Sequence, residues 1–224
     1  MFSRLPKSSF LSIFVVFLAF ALPVGAQTST FTSGSEGWLV AELNPVNFPI
    51  TIASSRSVYW NASGGYISLE DTIGDWTMFQ APAAFLGNLS SVSRLEFGLR
   101  TSNGNGVAYP MIVLEGTDRS LYYNAGITNT EFQTFTASFT DFGSWRVNSY
   151  SSGAIAGASD FSTVLADVRG LFINGDWSGD VDTSSLTSVS LVSVPESSNL
   201  AFLAGVVVLV ATILHRKSRF IRQS

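Results

Sequence analysis

Apolar and polar side chains alternate with a period of two at several places along the middle of the chain. In Arg94-Leu-Glu-Phe-Gly-Leu-Arg100, Leu95, Phe97 and Leu99 fall on one face and Arg94, Glu96 and Arg100 on the other. That is the pattern of a strand with one buried face. Tyr66–Glu70, Tyr109–Leu114, Phe135–Thr140 and Leu186–Leu191 read similarly. Clusters of turn-forming residues separate them, at Ser63-Gly-Gly65, Ser102-Asn-Gly-Asn-Gly106, Gly175-Asp176 and Ser178-Gly-Asp180.

Two stretches switch to a helical period. Ala81-Pro-Ala-Ala-Phe-Leu-Gly87 carries Pro near a helix start and Gly past its end. Asp160 to Gly170 places Phe161, Val164, Leu165 and Val168 on one helical face, with Asp160 as the expected N-cap and Gly170 as the expected stop. Many short strands, turns between them and one or two short helices predict an all-β fold, a jelly-roll-like β-sandwich.

Two further apolar runs lie at the ends and have no strand pattern. Met1 to Lys7 is basic, Phe10 to Leu22 is apolar, and Val24-Gly-Ala26 supplies small residues, so residues 1–26 are expected to be a signal peptide cut after Ala26. Leu200 to Leu214 is uncharged and is followed by a basic tail over residues 215–222. A transmembrane helix at about 199–214 is expected, held by that tail on the cytoplasmic side. Fifteen residues as a helix reach about 22 Å, short of the roughly 30 Å bilayer core. Residues 27–193 remain for one domain, and 194–224 form the terminal segment.

Charge narrows the function. Residues 27–193 hold fifteen acids, six Arg and no Lys, a formal charge of −9. The Arg residues are scattered, so the clustered cations that a nucleic acid needs are missing. The chain has no Cys, and its one His, His215, stands in the basic tail. Residues 27–193 therefore cannot build a Ser-His-Asp triad, a Cys nucleophile, or a metal site from His or thiolate.

Carboxylates and aromatics are the chemistry left. Asp176, Asp180 and Asp182 sit two and four residues apart on a Gly-containing loop, a spacing that suits a hard cation such as Ca²⁺ or simply a solvated acidic loop. No other cofactor is indicated. Glu70, Asp71 and Asp75 flank one turn and could in principle serve as a glycosidase acid and base, or be plain hairpin carboxylates. Trp60 and Trp177, beside Asn61 and Asp176, are candidate glycan-stacking residues, although aromatics also fill sandwich cores.

The segment Trp76–Ser91, WTMFQAPAAFLGNLSS, followed by LEFGLR and MIVLEGTDRSLYY, resembles the laminin B domain, also called laminin IV type A. Trp145-Arg146, VLADVRGLFINGDWSG and the closing LTSVSL continue the resemblance in order and spacing over roughly Phe31 to Leu191. Where that family has Asp-Asn before its last strand, this chain has Thr187-Ser188. The resemblance implies a non-enzymatic extracellular β-sandwich module, similar to folds some of which bind carbohydrate.

Val194-Pro195-Glu196-Ser197, the short apolar segment and the Arg-rich end resemble the PEP-CTERM sorting signal, with Ser197 in place of the family's second Pro. The resemblance implies recognition of Pro195 and Glu196 by an exosortase-like membrane enzyme, cleavage nearby, and a bacterial surface or exopolysaccharide-matrix destination after anchoring at the inner membrane. A plain C-terminal anchor is the other reading. The expected function is a non-catalytic structural or adhesive surface module, with an exopolysaccharide-binding module as the alternative and a carboxylate glycosidase behind both.

Overall fold

The computed structural model describes residues 27–44, 47–71, 76–104, 109–127 and 130–193. The expected signal peptide, the Val194–Ser197 motif, the apolar segment and Asp75 lie outside the described residues. No described helix is long and apolar enough to cross a membrane.

The strands are β1 (Thr28–Ser29), β2 (Leu39–Asn44), β3 (Thr51–Ser57), β4 (Tyr59–Asn61), β5 (Tyr66–Glu70), β6 (Trp76–Gln80), β7 (Val92–Thr101), β8 (Tyr109–Glu115), β9 (Ser120–Ala125), β10 (Gln133–Ser138), β11 (Trp145–Val147), β12 (Gly170–Asn174) and β13 (Thr183–Ser193). One α-helix, α1, spans Ala158–Ala166, and single 3₁₀ turns occupy Ala83–Phe85 and Phe142–Ser144. All pairings between strands are antiparallel. The first sheet runs β10-β7-β13-β5-β4, with β1 beside β13, and the second runs β11-β9-β8-β12-β6-β2-β3. The predicted β-sandwich is therefore present, consistent with a jelly roll.

The core lies between the sheets. The predicted alternation of β7 holds: Leu95, Phe97 and Leu99 are buried, and Phe97 pairs across the ladder with Phe135 in a stacked contact of 5.6 Å. Each fully buried side chain of this size contributes about 1.5–3 kcal/mol relative to exposure. Trp145 anchors one end. Its ring meets Tyr123 at 5.2 Å and Phe161 of α1 at 5.3 Å, and its indole N–H donates to the Ser138 carbonyl at 2.9 Å.

The helix differs from its sequence reading. It begins after Gly157, so Asp160 is its third residue, and its carboxylate accepts the Gly157 N–H at 2.9 Å. The other carboxylate oxygen pairs with Arg119. Asp160 thus serves the helix start from inside the first turn, where an acid meets free backbone N–H groups and the positive end of the helix dipole. At the far end α1 stops at Ala166, and Gly170 opens β12 instead of ending the helix. Val168 is held by reciprocal backbone bonds with Gly87, both 2.8 Å.

The two sheets treat their outer faces differently. On the second sheet Ala41, Leu43, Met78, Val113, Tyr122 and Phe172 point away from the core yet are buried, with Ile50 and Tyr150 packed on them. The segments carrying Ile50 and Tyr150 join at the Asn47–Ser149 bridge and close a roof over that face. Trp76 meets Tyr150 in a tilted ring contact at 5.4 Å, and Asn124 donates to the Tyr150 carbonyl at 2.7 Å. The outer face of the first sheet has no such roof among the described residues.

Candidate functional site

Register decides which side chains share the open face of the first sheet. Tyr59 pairs with Ser68, Ser68 with Ser185, and Ser185 with Arg100, so one row crosses four strands. In the next row Asn61 pairs with Tyr66, and Thr187 and Thr134 each pair with Gly98. Residues opposite one another project to the same side of a sheet. The floor is made of small side chains, Ser68, Ser185 and Gly98, all buried. Larger groups rise around it.

Arg100 is the centre of those larger groups. Its guanidinium carbon lies 4.9 Å from the centroid of the Tyr66 ring and 4.5 Å from that of Phe132. The two rings are 5.7 Å apart. The Tyr66 hydroxyl accepts the Asn61 side-chain amide at 2.8 Å. Tyr59 is 69% exposed and Phe132 37% exposed. Two polarisable faces hold the cation by its quadrupole attraction. The result is a surface patch in which aromatic side chains and one ring-held cation stand over small buried residues.

Trp60 and Trp177, the candidate stacking residues, are not part of that face. Trp60 alternates to the other side of β4 from Tyr59 and Asn61, and its indole N–H is committed to the Phe31 carbonyl at 2.8 Å. It keeps 37% exposure at the sheet edge. Trp177 is fully buried, so its ring has no face for a sugar. The neighbouring acids misled its reading. The loop turns Asp180 outward and Trp177 inward.

The same loop corrects the calcium reading. Asp180 is exposed, while Asp182 is buried and takes the Trp177 N–H on Oδ2 at 2.9 Å. Among the described residues no three acidic, His or Cys side chains are placed to hold a metal ion. Asp176 and Asp182 instead come near Asp71, at one end of the core. Asp71 is buried, donates its N–H to the Asp182 carbonyl at 2.9 Å, and accepts the Thr77 hydroxyl on Oδ1 at 2.8 Å. Asp182 Oδ1 is buried with no hydrogen-bond partner among the described residues.

Burial pushes the Asp176 carboxyl up to about 7, and the charges of Asp71 and Asp182 add to that shift. Burial also pushes Asp182 up to about 6, with Asp71 adding to it, against the opposing pull of the Trp177 N–H. Both groups thus keep their protons to higher pH than an ordinary carboxyl, as expected for carboxyls taken from water beside like charge.

Glu70 and Asp71 do not form a catalytic pair. Successive residues of an extended segment face opposite sides. Glu70 is exposed at the end of β5, whereas Asp71 is buried against Thr77.

Sequence reading missed Arg100, Tyr66 and Phe132 as a unit. The alternation already put Arg100 on the polar side of β7 and Tyr66 on the side of Ser68. The ladder that brings them together spans residues about 34 apart in sequence and runs through β13, and no local pattern encodes it.

The family model for laminin B (domain IV) matches residues 78–205, more than half of the 224-residue chain. Among solved structures, the L4b domain of human laminin alpha-2 matches with a TM-score of 0.56 at 11% identity, over 75% of this chain and 98% of that one. At that identity the likeness concerns the fold alone. A family 11 carbohydrate-binding module of the cellulosomal cellulase Lic26A-Cel5E of Clostridium thermocellum matches over 76% of this chain and 87% of its own at 12% identity. Its TM-score of 0.37 is too low to carry an argument. Comparison with curated protein sequences gives no match.

Proposed function

Because the chain belongs to the laminin B (domain IV) family, we propose that it is an exported, non-catalytic surface or matrix protein whose open sheet face makes the adhesive contact. One observation carries this reading. The second sheet roofs its outer face with the segments of Ile50 and Tyr150, whereas among the described residues no such segment covers the first sheet, where Tyr59 and Phe132 are exposed and Tyr66 and Arg100 half-buried. Exposed aromatics around a polar floor suit a surface that meets a partner.

Export rests on the expected signal peptide at residues 1–26. Sorting rests on Val194, Pro195, Glu196 and Ser197, with the apolar segment and basic tail after them. In this reading an exosortase-like enzyme takes the Pro195-Glu196 pair at the inner membrane and releases the module to the surface or the exopolysaccharide matrix.

A carbohydrate partner is the second reading, and the aromatic walls favour it. Sugar rings lay their C–H faces on aromatic rings, and the Tyr59 and Tyr66 hydroxyls and the Asn61 amide supply hydrogen bonds. Retention of the tagged protein in the washed matrix of its host tests the adhesive role. A Tyr59→Ala, Tyr66→Ala, Phe132→Ala triple variant that folds and is exported should wash out while the wild type stays. Equal retention of both would place the contact elsewhere.

A further inference from the structure

We propose that the open face of the first sheet takes an acidic polysaccharide, with Arg100 binding the carboxylate of a uronic-acid unit and the flanking rings stacking on its neutral neighbours. The inference rests on the carbohydrate reading above and names its ligand class.

The Arg100 guanidinium makes no ion pair and no hydrogen bond among the described residues. The four ion pairs there use Arg56, Arg94, Arg119 and Arg169, and Arg146 donates to the Gly153 carbonyl. A guanidinium keeps its charge at any working pH and presents a planar fork that matches a carboxylate with two parallel bonds. Here Tyr66 and Phe132 already hold that fork at the face. Fixing an Arg side chain in advance lowers the ordering cost of binding. A neutral sugar would leave this cation unmatched, whereas a uronate meets it and still offers ring faces to the aromatics.

Charge also sets the density of the ligand. The span 27–193 carries −9, and the same face includes Glu70. Glu96, on that side of β7, is neutralised by Arg94 at 2.6 Å. Among the described residues Arg100 is the one cation on this face without an acidic partner, and in a negative domain that favours a polymer with a single carboxylate per contact and neutral units beside it over a fully charged polyanion. An alternating glucuronate and N-acetylhexosamine chain has that spacing.

The test is titration of the full-length protein in detergent micelles with hyaluronan hexasaccharide, with cellohexaose as the neutral probe and poly-glutamate as the acidic peptide probe. The expected result is binding of the hyaluronan probe at least 10-fold tighter than cellohexaose or poly-glutamate. Arg100→Ala should lose at least 10-fold of that affinity with its melting temperature kept, and Arg100→Lys should keep part of it. Equal binding of the two sugars, unchanged in Arg100→Ala, would overturn the acidic ligand and leave the carbohydrate reading standing. Binding of poly-glutamate as tight as hyaluronan would overturn the inference in favour of an acidic peptide. Binding of neither sugar would overturn both readings. The wild-type comparison decides the matter even if Arg100→Ala does not fold.

Discussion

Thr187 crosses Gly98 so closely that a Cβ on Gly98 would stand 2.6 Å from the Thr187 methyl group and 3.3 Å from its carbonyl oxygen. The two residues are register partners at the centre of the first sheet. Thr187 is held there, since its hydroxyl donates to the Gly65 carbonyl at 3.2 Å. Just beyond it the β7–β13 register shifts, and Ser188 takes a φ of 41°. The absence of a side chain at position 98 therefore lets Thr187 cross here and keeps the β13 strand in place.

Gly98→Val should destabilise the fold by about 1–3 kcal/mol, the usual cost of overpacking a filled site. Urea unfolding measures it. Thr187→Ala combined with Gly98→Ala should recover part of the loss suffered by Gly98→Ala alone, because the methyl group that clashes is gone. No recovery would mean that the backbone of β13, and not the Thr187 side chain, limits the site.

The buried acids make stability depend on pH in a direction opposite to that of an ion-paired carboxylate. Asp176 and Asp182 are pushed up to about 7 and about 6 in the folded chain, from an ordinary value of 3.8. The folded state therefore binds their protons more tightly than the unfolded chain does. Their contribution is fully present below about pH 3.8 and is lost as pH rises through about 6 and then about 7. Thermal melts should show a melting temperature that falls between pH 5 and pH 8. The Asp176→Asn, Asp182→Asn double variant should flatten that slope, since amides keep the shape without the charge. Glu115, raised by its burial, remains in the variant and keeps a residual slope of the same sign. A melting temperature that rises over this range in the wild type would show that these carboxyls are ionised and compensated in the fold.

Much of the sandwich was legible in the sequence. β5 and β7 each bury one face, so alternation marked them directly. β12 was hidden because Leu171, Phe172 and Ile173 are buried on both faces, the middle one under the roof of the second sheet. A continuous apolar run of that length does not distinguish strand from helix. β3 was hidden for the opposite reason: all seven of its residues are exposed at a sheet edge, so no face is marked by apolar side chains. The site divided in the same way. Spacing along the chain suggested Asp176, Asp180 and Asp182, but the turn sends Asp180 to solvent and the fold supplies Asp71, more than 100 residues away. Aromatic residue type suggested Trp177, but the largest rings are also the best core fillers.

Export and sorting predict a definite covalent product. The mass of the protein taken from the surface of its native host should correspond to a chain beginning at Gln27 and ending near Glu196, with any excess reporting an attached group. A mass that runs through Ser224 would make the terminal segment a plain anchor, with the module working at the membrane face.

The central claim is that the uncovered face of the first sheet is the contact surface. Its most direct test is hydrogen exchange of the protein alone and with the purified exopolysaccharide of its host. The expected result is slowed exchange confined to β4, β5, the part of β13 around Ser185 and the part of β7 around Arg100, with the roofed second sheet unchanged. Protection on the second sheet, or no protection anywhere while the polymer is bound, would contradict it.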